Sequence, residues 1–178
     1  MGFSVHFAAA TATAALCSAA SAGIVNLPVT FSWLDGSGGV RDQASFFVSP
    51  FVTEYAKFSS AGSAWDVVAI DVRDDSLTVT GDFFNLPSVA FQSGDKLRFE
   101  LPTTIAVDSM ALGAVSNVSS MDASRLSFAG NVMTIDVSLT RFDARGSSFT
   151  DNFATSTVPG PAGIAAVALL VALPRRKR

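Results

Sequence analysis

The hydrophobic residues in the central part of the chain recur at every second position. Residues 29–33 (Val-Thr-Phe-Ser-Trp) and 96–101 (Lys-Leu-Arg-Phe-Glu-Leu) show this alternation most clearly. A β-strand turns successive side chains to opposite faces, whereas an amphipathic helix needs an apolar residue every three to four positions. No amphipathic helical pattern of any length occurs between residues 23 and 158. We therefore predict that this region folds from β-strands.

Gly, Asp and Asn residues separate the apolar segments and are typical of turns. Turns are predicted at residues 35–39, 73–76, 93–95 and 130–131. Strands are predicted at residues 29–33, 65–72, 77–80, 89–92, 96–101, 105–107, 126–128 and 132–139. Short antiparallel strands at this spacing favour an all-β domain of roughly eight strands, a β-sandwich of the jelly-roll or immunoglobulin type. We assign residues 23–145 to this domain.

The best hairpin signal is Gly130-Asn131, between two predicted strands. A two-residue loop that begins with Gly suits a type II′ turn. The strand after it is predicted to place Ile135, Val137 and Leu139 on one buried face.

Two stretches have weaker patterns. Pro50 interrupts the apolar residues 46–52, which indicates an edge strand or an irregular loop because Pro cannot donate to a sheet ladder. Residues 146–157 are rich in Ser and Thr, with Phe149 and Phe153 as their large apolar residues. We predict a last edge strand there that runs into a linker.

The amino-terminal 22 residues carry no Lys, Arg, Asp or Glu, and residues 8–20 are apolar and rich in alanine. The sequence Ala20-Ser21-Ala22 supplies the small residues that signal peptidase accepts. Residues 1–22 are therefore predicted to be a helical signal peptide, with signal peptidase as a partner and a mature chain from Gly23.

Removal of this segment would take away His6 and Cys17, the only histidine and the only cysteine of the chain. Ser-His-Asp and Cys-His catalysis, His or Cys zinc sites and disulfides all need these residue types. We expect no enzyme activity, no catalytic residues, no cofactor and no metal.

The acidic residues are concentrated in the predicted domain. Residues 23–158, which would remain after removal of both ends, hold all fifteen Asp and Glu residues and eight of the twelve Lys and Arg residues, which gives them a net charge of −7. Nucleic-acid binding requires a basic face that neutralises phosphates, so no nucleic-acid partner is expected.

The carboxyl-terminal 21 residues have three parts. Val158, Pro159, Gly160, Pro161 and Ala162 precede an uncharged apolar segment, residues 163–173, and a basic end with Arg175, Arg176, Lys177 and Arg178. Eleven apolar residues form a helix of about 16 Å, whereas the hydrocarbon core of a bilayer is roughly 30 Å thick. Such a segment can enter the inner membrane transiently, and the cations keep the chain end in the cytoplasm.

Residues 158–178 resemble the PEP-CTERM sorting signal that exosortases read in bacteria that secrete exopolysaccharide. The chain departs from the usual Pro-Glu-Pro at Gly160, which leaves open the subclass of sorting enzyme and the position of the cut. The resemblance implies an exosortase-type partner and processing near residues 159–161. An ordinary membrane tail is the alternative, although the apolar segment is short for one.

These features together predict an exported β-sandwich protein of the cell surface or extracellular matrix, with exopolysaccharide as a candidate partner. The alternative is an extracellular domain that binds or cleaves carbohydrate and carries the same tag. Glu54 and Glu100 could supply the carboxylate pair of a glycoside hydrolase, although Glu100 fits a solvent-facing strand position better. Trp33, Trp65 and Tyr55 could stack on sugars, although both tryptophans also suit a hydrophobic core.

Two further groups of residues could bind small ligands. A cluster around one predicted hairpin could bind calcium, although turn formation explains it better: Asp71, Asp74, Asp75 and Asp82. Residues 35–39 (Asp-Gly-Ser-Gly-Gly) lack the lysine of a phosphate-binding loop and are more simply a flexible turn.

Overall fold

The computed structural model describes residues 22–56, 68–83 and 87–158. The described part of the chain is all-β and antiparallel, as the alternation predicts, with one short 3₁₀ turn at Ala123–Arg125. None of the helical structure in these residues is long and apolar enough to span a bilayer. The predicted signal helix, apart from Ala22, and the predicted carboxyl-terminal helix at residues 163–173 lie outside the described residues.

The described residues form thirteen strands, numbered here in chain order. They are β1 (Pro28–Leu34), β2 (Val40–Phe47), β3 (Tyr55–Ala56), β4 (Val68–Val72), β5 (Ser76–Gly81), β6 (Val89–Ala90), β7 (Lys96–Glu100), β8 (Ile105–Ser116), β9 (Val118–Ser119), β10 (Leu126–Ala129), β11 (Val132–Asp136), β12 (Arg141–Phe142) and β13 (Ser148–Thr157).

These strands form two five-stranded sheets and one small three-stranded sheet. The first large sheet has the order β10-β11-β7-β1-β2, and the second has the order β3-β4-β5-β13-β8. The small sheet has the order β6-β12-β9. Strands that are distant in sequence are therefore neighbours in both large sheets.

Alternate residues of both large sheets contribute to one hydrophobic core. In the first sheet Phe31 of β1 lies opposite Phe99 of β7, and their rings are 5.2 Å apart. Burial of a side chain of this size contributes about 1.5–3 kcal/mol to stability. The following core residues come from the predicted apolar faces: Val29, Phe31, Val68, Ile70, Leu97, Phe99, Leu101, Ile105, Val107, Ile135 and Val137.

The predicted hairpins are confirmed. Ala129 pairs with Val132 across the two-residue loop, and Gly130 has a φ of 59°, which a residue without a β-carbon adopts easily. Residues 73–76 turn β4 into β5, with Val72 opposite Leu77. The part of the predicted strand at residues 65–67 lies outside the described residues.

The edge strand near Pro50 begins earlier than its hydrophobic residues indicate. β2 starts at Val40, forms the edge of the first sheet and ends at Phe47, and an irregular loop follows. Its first half contains Arg41, Asp42 and Gln43, whose polarity masks a strand pattern. An edge position accommodates charged residues because one side of the strand faces water.

The predicted role of residues 146–157 is wrong. β13 lies between β5 and β8, so it is not an edge strand, and it continues to Thr157 without a linker. Phe149 and Phe153 are buried in the core. Asp151, between them, and Thr155, two residues after Phe153, are buried as well. We call the described residues between 22 and 158 the β unit. It therefore extends past the predicted domain boundary at residue 145.

Leu139 is also predicted wrongly, since 63% of its surface is exposed. β11 ends at Asp136, whose carboxylate accepts a hydrogen bond from the Ser138 amide. The chain then turns, and Leu139 has a φ of 57°. The turn takes Leu139 off the face that holds Ile135 and Val137.

Candidate functional site

The two glutamates have separate structural roles. The Glu54 carboxylate accepts hydrogen bonds from the amides of Ser49 and Val72, at 2.7 and 2.8 Å, and so ties the loop after β2 to β4. Glu100 forms an ion pair with Arg98 at 3.0 Å on a half-exposed surface of β7. Each carboxylate thus has partners that explain its position without a substrate.

The aspartates of the candidate calcium cluster, which turn formation explains better, have different partners. Asp71 pairs with Arg73 at 2.9 Å, and Asp82 pairs with Arg145 at 3.0 Å. Asp74 accepts hydrogen bonds from backbone amides near the amino terminus. Within residues 22–56, 68–83 and 87–158, no group of three or more His, Cys, Asp or Glu side chains is placed to hold a metal ion.

The turn at residues 35–39 is closed by its own aspartate. Asp35 Oδ1 accepts hydrogen bonds from the amides of Ser37 and Gly39, both at 2.9 Å, and from the Ser37 hydroxyl at 2.7 Å. The Ser37 hydroxyl, followed by these two amides, lowers the pKa of Asp35. The carboxylate therefore occupies the amides that a bound phosphate would need.

Trp33 is partly buried and packs against the hydrophobic core. Its ring meets Phe91 edge to face, with the centroids 5.5 Å apart, and the Arg41 guanidinium lies 5.7 Å from the Trp33 centroid. Arg41 also reaches the buried Asp95 at 3.2 Å, so it holds the turn before β7 against β2. The side chains of Tyr55 and Trp65 lie outside the described residues.

The exposed aromatic residues that the structure describes are phenylalanines. Phe47 at the end of β2 is 69% exposed and Phe51 in the following loop is 89% exposed. Val52, next to Phe51, is 60% exposed. We call Phe47, Phe51 and Val52 the apolar edge.

The structure joins the two ends of the β unit at a site that sequence reasoning missed. The Ala22 amide donates to the Thr155 carbonyl at 3.0 Å, and the buried Thr155 hydroxyl donates to the Ala22 carbonyl. Asp74 Oδ1 accepts hydrogen bonds from the amides of Ile24 and Val25, both at 2.9 Å. We call Ala22, Ile24, Val25, Asp74 and Thr155 the terminal junction.

The carboxyl-terminal exit lies on the same strand as the terminal junction. β13 ends at Thr157, opposite Ile105, and the Val158 amide donates to the Thr104 carbonyl at 2.8 Å. Val158, the first residue of the predicted sorting motif, is 46% exposed. The rest of that motif, the basic end and Ala20 lie outside the described residues. Within the described residues, Ala22 thus lies beside the last part of β13.

A second feature that the sequence did not indicate is the buried carboxyl group of Asp151. The side chain is fully buried, and neither oxygen has a hydrogen-bond partner among the described residues. Its strand neighbours are Leu77 on β5 and Leu112 on β8. Burial raises the pKa of Asp151 to about 7. The spacing of Phe149, Asp151 and Phe153 was the available signal, since all three share one face.

Comparison of the chain with protein-family models, with curated proteins and with solved structures finds no match.

Proposed function

We propose that this chain is an exported, non-enzymatic β-sandwich protein that is processed at both ends and then resides at the cell surface or in an exopolysaccharide matrix. The two large sheets, which share one core, would be the layers of a jelly-roll-like or immunoglobulin-like sandwich. An experimental structure in which the two large sheets do not pack face to face would contradict this architecture.

The observation that carries the proposal is the closeness of Ala22 and Thr155, which lie near the two ends of the described residues. In a precursor with a signal peptide and a carboxyl-terminal apolar segment, both segments enter the same membrane. A domain between them needs both ends on the side that faces that membrane, or a long spacer. The bond between Ala22 and Thr155, two residues before β13 ends, brings the two ends of the described β-sheet region together and so supports the proposal.

The test is the intact mass of the natural product made in a bacterium with an exosortase-type system. We expect a chain without His6 and Cys17 and without the basic end. Replacement of Pro159 and Pro161 by Ala should leave the carboxyl-terminal segment in place, because the extended peptide would be lost. Pro87→Ala, an exposed proline outside the motif, is the matched control and should be processed normally.

Two outcomes separate this proposal from others. A product that has lost the signal peptide but still carries Arg175, Arg176, Lys177 and Arg178 would indicate a permanent tail anchor in place of sorting. A full-length chain in the cytosol, with His6 and Cys17 retained, would contradict export itself.

Carbohydrate binding is the second candidate, and the apolar edge favours it. Exposed rings provide flat surfaces for sugar rings, and most large hydrophobic residues of a domain are buried. The test is binding of residues 21–158 to the host's exopolysaccharide. Phe47→Ala with Phe51→Ala should abolish saturable binding, while Phe128→Ala, which removes a 44% exposed ring from the opposite edge strand, should not. Equal loss in both variants would contradict a site at the apolar edge.

A further inference from the structure

The sequence pattern Ala20-Ser21-Ala22 predicts a cut after Ala22, yet the structure includes Ala22 in the fold. Its amide donates to the Thr155 carbonyl at 3.0 Å, and its carbonyl accepts the Thr155 hydroxyl. The Ala22 side chain also packs against the hydrophobic core. Ala22 therefore belongs to the folded domain.

Thr155 makes the loss of Ala22 unfavourable. It lies on the core-facing side of β13 and is 2% exposed with Ala22 in place, so Ala22 both partners Thr155 and helps to cover it. A buried hydroxyl or carbonyl without a partner destabilises the folded state. A chain that began at Gly23 would lack the residue that bonds to both the Thr155 carbonyl and the Thr155 hydroxyl.

The sequence offers a second site for the peptidase immediately upstream. Ser18-Ala19-Ala20 also has small residues at the two positions that signal peptidase recognises, and a cut after Ala20 would leave Ser21-Ala22 on the mature chain. We propose, building on the proposed export, that signal peptidase cuts between Ala20 and Ser21 and that the mature protein keeps Ala22 as a structural residue.

Reciprocal substitutions distinguish the two cuts in cells. A cut after Ala20 requires small residues at Ser18 and Ala20, so Ser18→Leu should eliminate the mature chain that begins at Ser21 and Ala22→Leu should leave it in place. A cut after Ala22 gives the opposite pattern, because Ser18 then lies outside the recognised positions. The first residue of each processed chain is determined from its mass, which distinguishes the two cuts even if the peptidase uses the neighbouring site in a variant.

The natural product gives the direct answer. A mature chain that begins at Ser21 supports the inference, and one that begins at Gly23 overturns it while the proposed function stands. A chain that retains Met1 or His6 contradicts the proposed export, so the two failures are distinguishable.

The structural role of Ala22 is tested with purified chains. Residues 21–158 should melt about 3–10 °C higher than residues 23–158, since two buried hydrogen bonds differ between them. In a Thr155→Val background this difference should become smaller, because the hydroxyl that needs Ala22 is absent. Thr157→Val, an exposed position on the same strand, should leave the difference unchanged. Equal melting of the two lengths would overturn the structural role.

Discussion

At the scale of single residues, the unusual position is Asp151. Its carboxyl group lies between Phe149 and Phe153 on the buried face of β13. Burial raises its pKa from 3.8 to about 7, because the charged form loses hydration and gains no partner among the described residues. The buried Thr155 hydroxyl on the same strand, by contrast, donates to the Ala22 carbonyl.

The raised pKa predicts a stability that depends on pH. The folded state holds the Asp151 proton more tightly than the unfolded chain does, so this contribution is complete below about pH 4 and is lost as the pH rises through about 7. Asp151→Asn removes the titration. The variant should gain stability over the native chain across this window, by on the order of 4 kcal/mol at most.

Urea unfolding at a series of pH values measures this difference. Asp108→Asn, which removes an exposed carboxylate on the neighbouring strand β8, controls for the change in net charge. The free-energy difference between Asp151→Asn and the native chain should grow from pH 4 to pH 7. A difference that stays constant over this range would contradict the buried, unpaired carboxyl.

At the scale of the strands, β13 and β2 show how position in a sheet decides the effect of a residue. β13 pairs on both sides and buries Phe149, whose ring stacks on Phe142 at a centroid distance of 6.1 Å. β2 pairs on one side and ends with Phe47, which is 69% exposed. The same residue type is therefore structural in one strand and a surface group in the other.

The two phenylalanines should respond differently to truncation. Phe149→Ala removes a fully buried ring, and we expect a loss of about 3–5 kcal/mol in the free energy of unfolding. Phe47→Ala should cost less than about 1 kcal/mol, because most of its ring is in water in both states. Chemical unfolding of the two variants makes the comparison. Similar losses would contradict the interior position of β13.

At the scale of the whole molecule, the terminal junction brings the first described residue, Ala22, next to the end of the last strand, β13. The Ala22 amide lies 3.0 Å from the Thr155 carbonyl, and three further residues lead to Val158. Those residues extend the chain by about 10 Å, which a linker of roughly four to six residues spans.

This geometry predicts that a circular permutant folds. A short Gly-Ser linker would join Val158 to Ala22, and the chain would be opened between Phe51 and Val52, which lie in an exposed loop. We expect the same β-type circular dichroism and a cooperative thermal transition. As a control, opening the chain between Thr150 and Asp151 in the middle of β13 should abolish folding. If the permutant opened between Phe51 and Val52 does not fold, that result would contradict the closeness of Ala22 and Val158.

Local sequence patterns predicted much of the element list and little of the arrangement. The alternation at residues 29–33 and 96–101 identified β1 and β7 and their buried faces, because the two-residue period is a property of the strand itself. The same logic failed at Leu139, where a turn set by Asp136 and Ser138 overrides the period. It also missed most of β2, whose polar residues are tolerated because it lies at a sheet edge.

The predicted cleavage residues and their contacts also show what local sequence patterns can and cannot predict. The sequence named Ala20 and Ala22 as cleavage residues from their size alone. It could not show that Ala22 bonds to Thr155, since that contact joins positions 133 residues apart. The roles of Asp74 and Asp151 were hidden for the same reason, because a carboxylate's partners and its exposure depend on which distant strands lie beside it.

By itself, then, the sequence determined the type of secondary structure, the residues that face the core in most strands, the acidic charge and the apolar character of both ends. These properties depend on near neighbours and on composition. Only the tertiary structure decided which strands are interior, which polar groups are buried and that Ala22 lies beside Thr155. Those features arise from pairing between distant segments, and no local pattern in the chain records them.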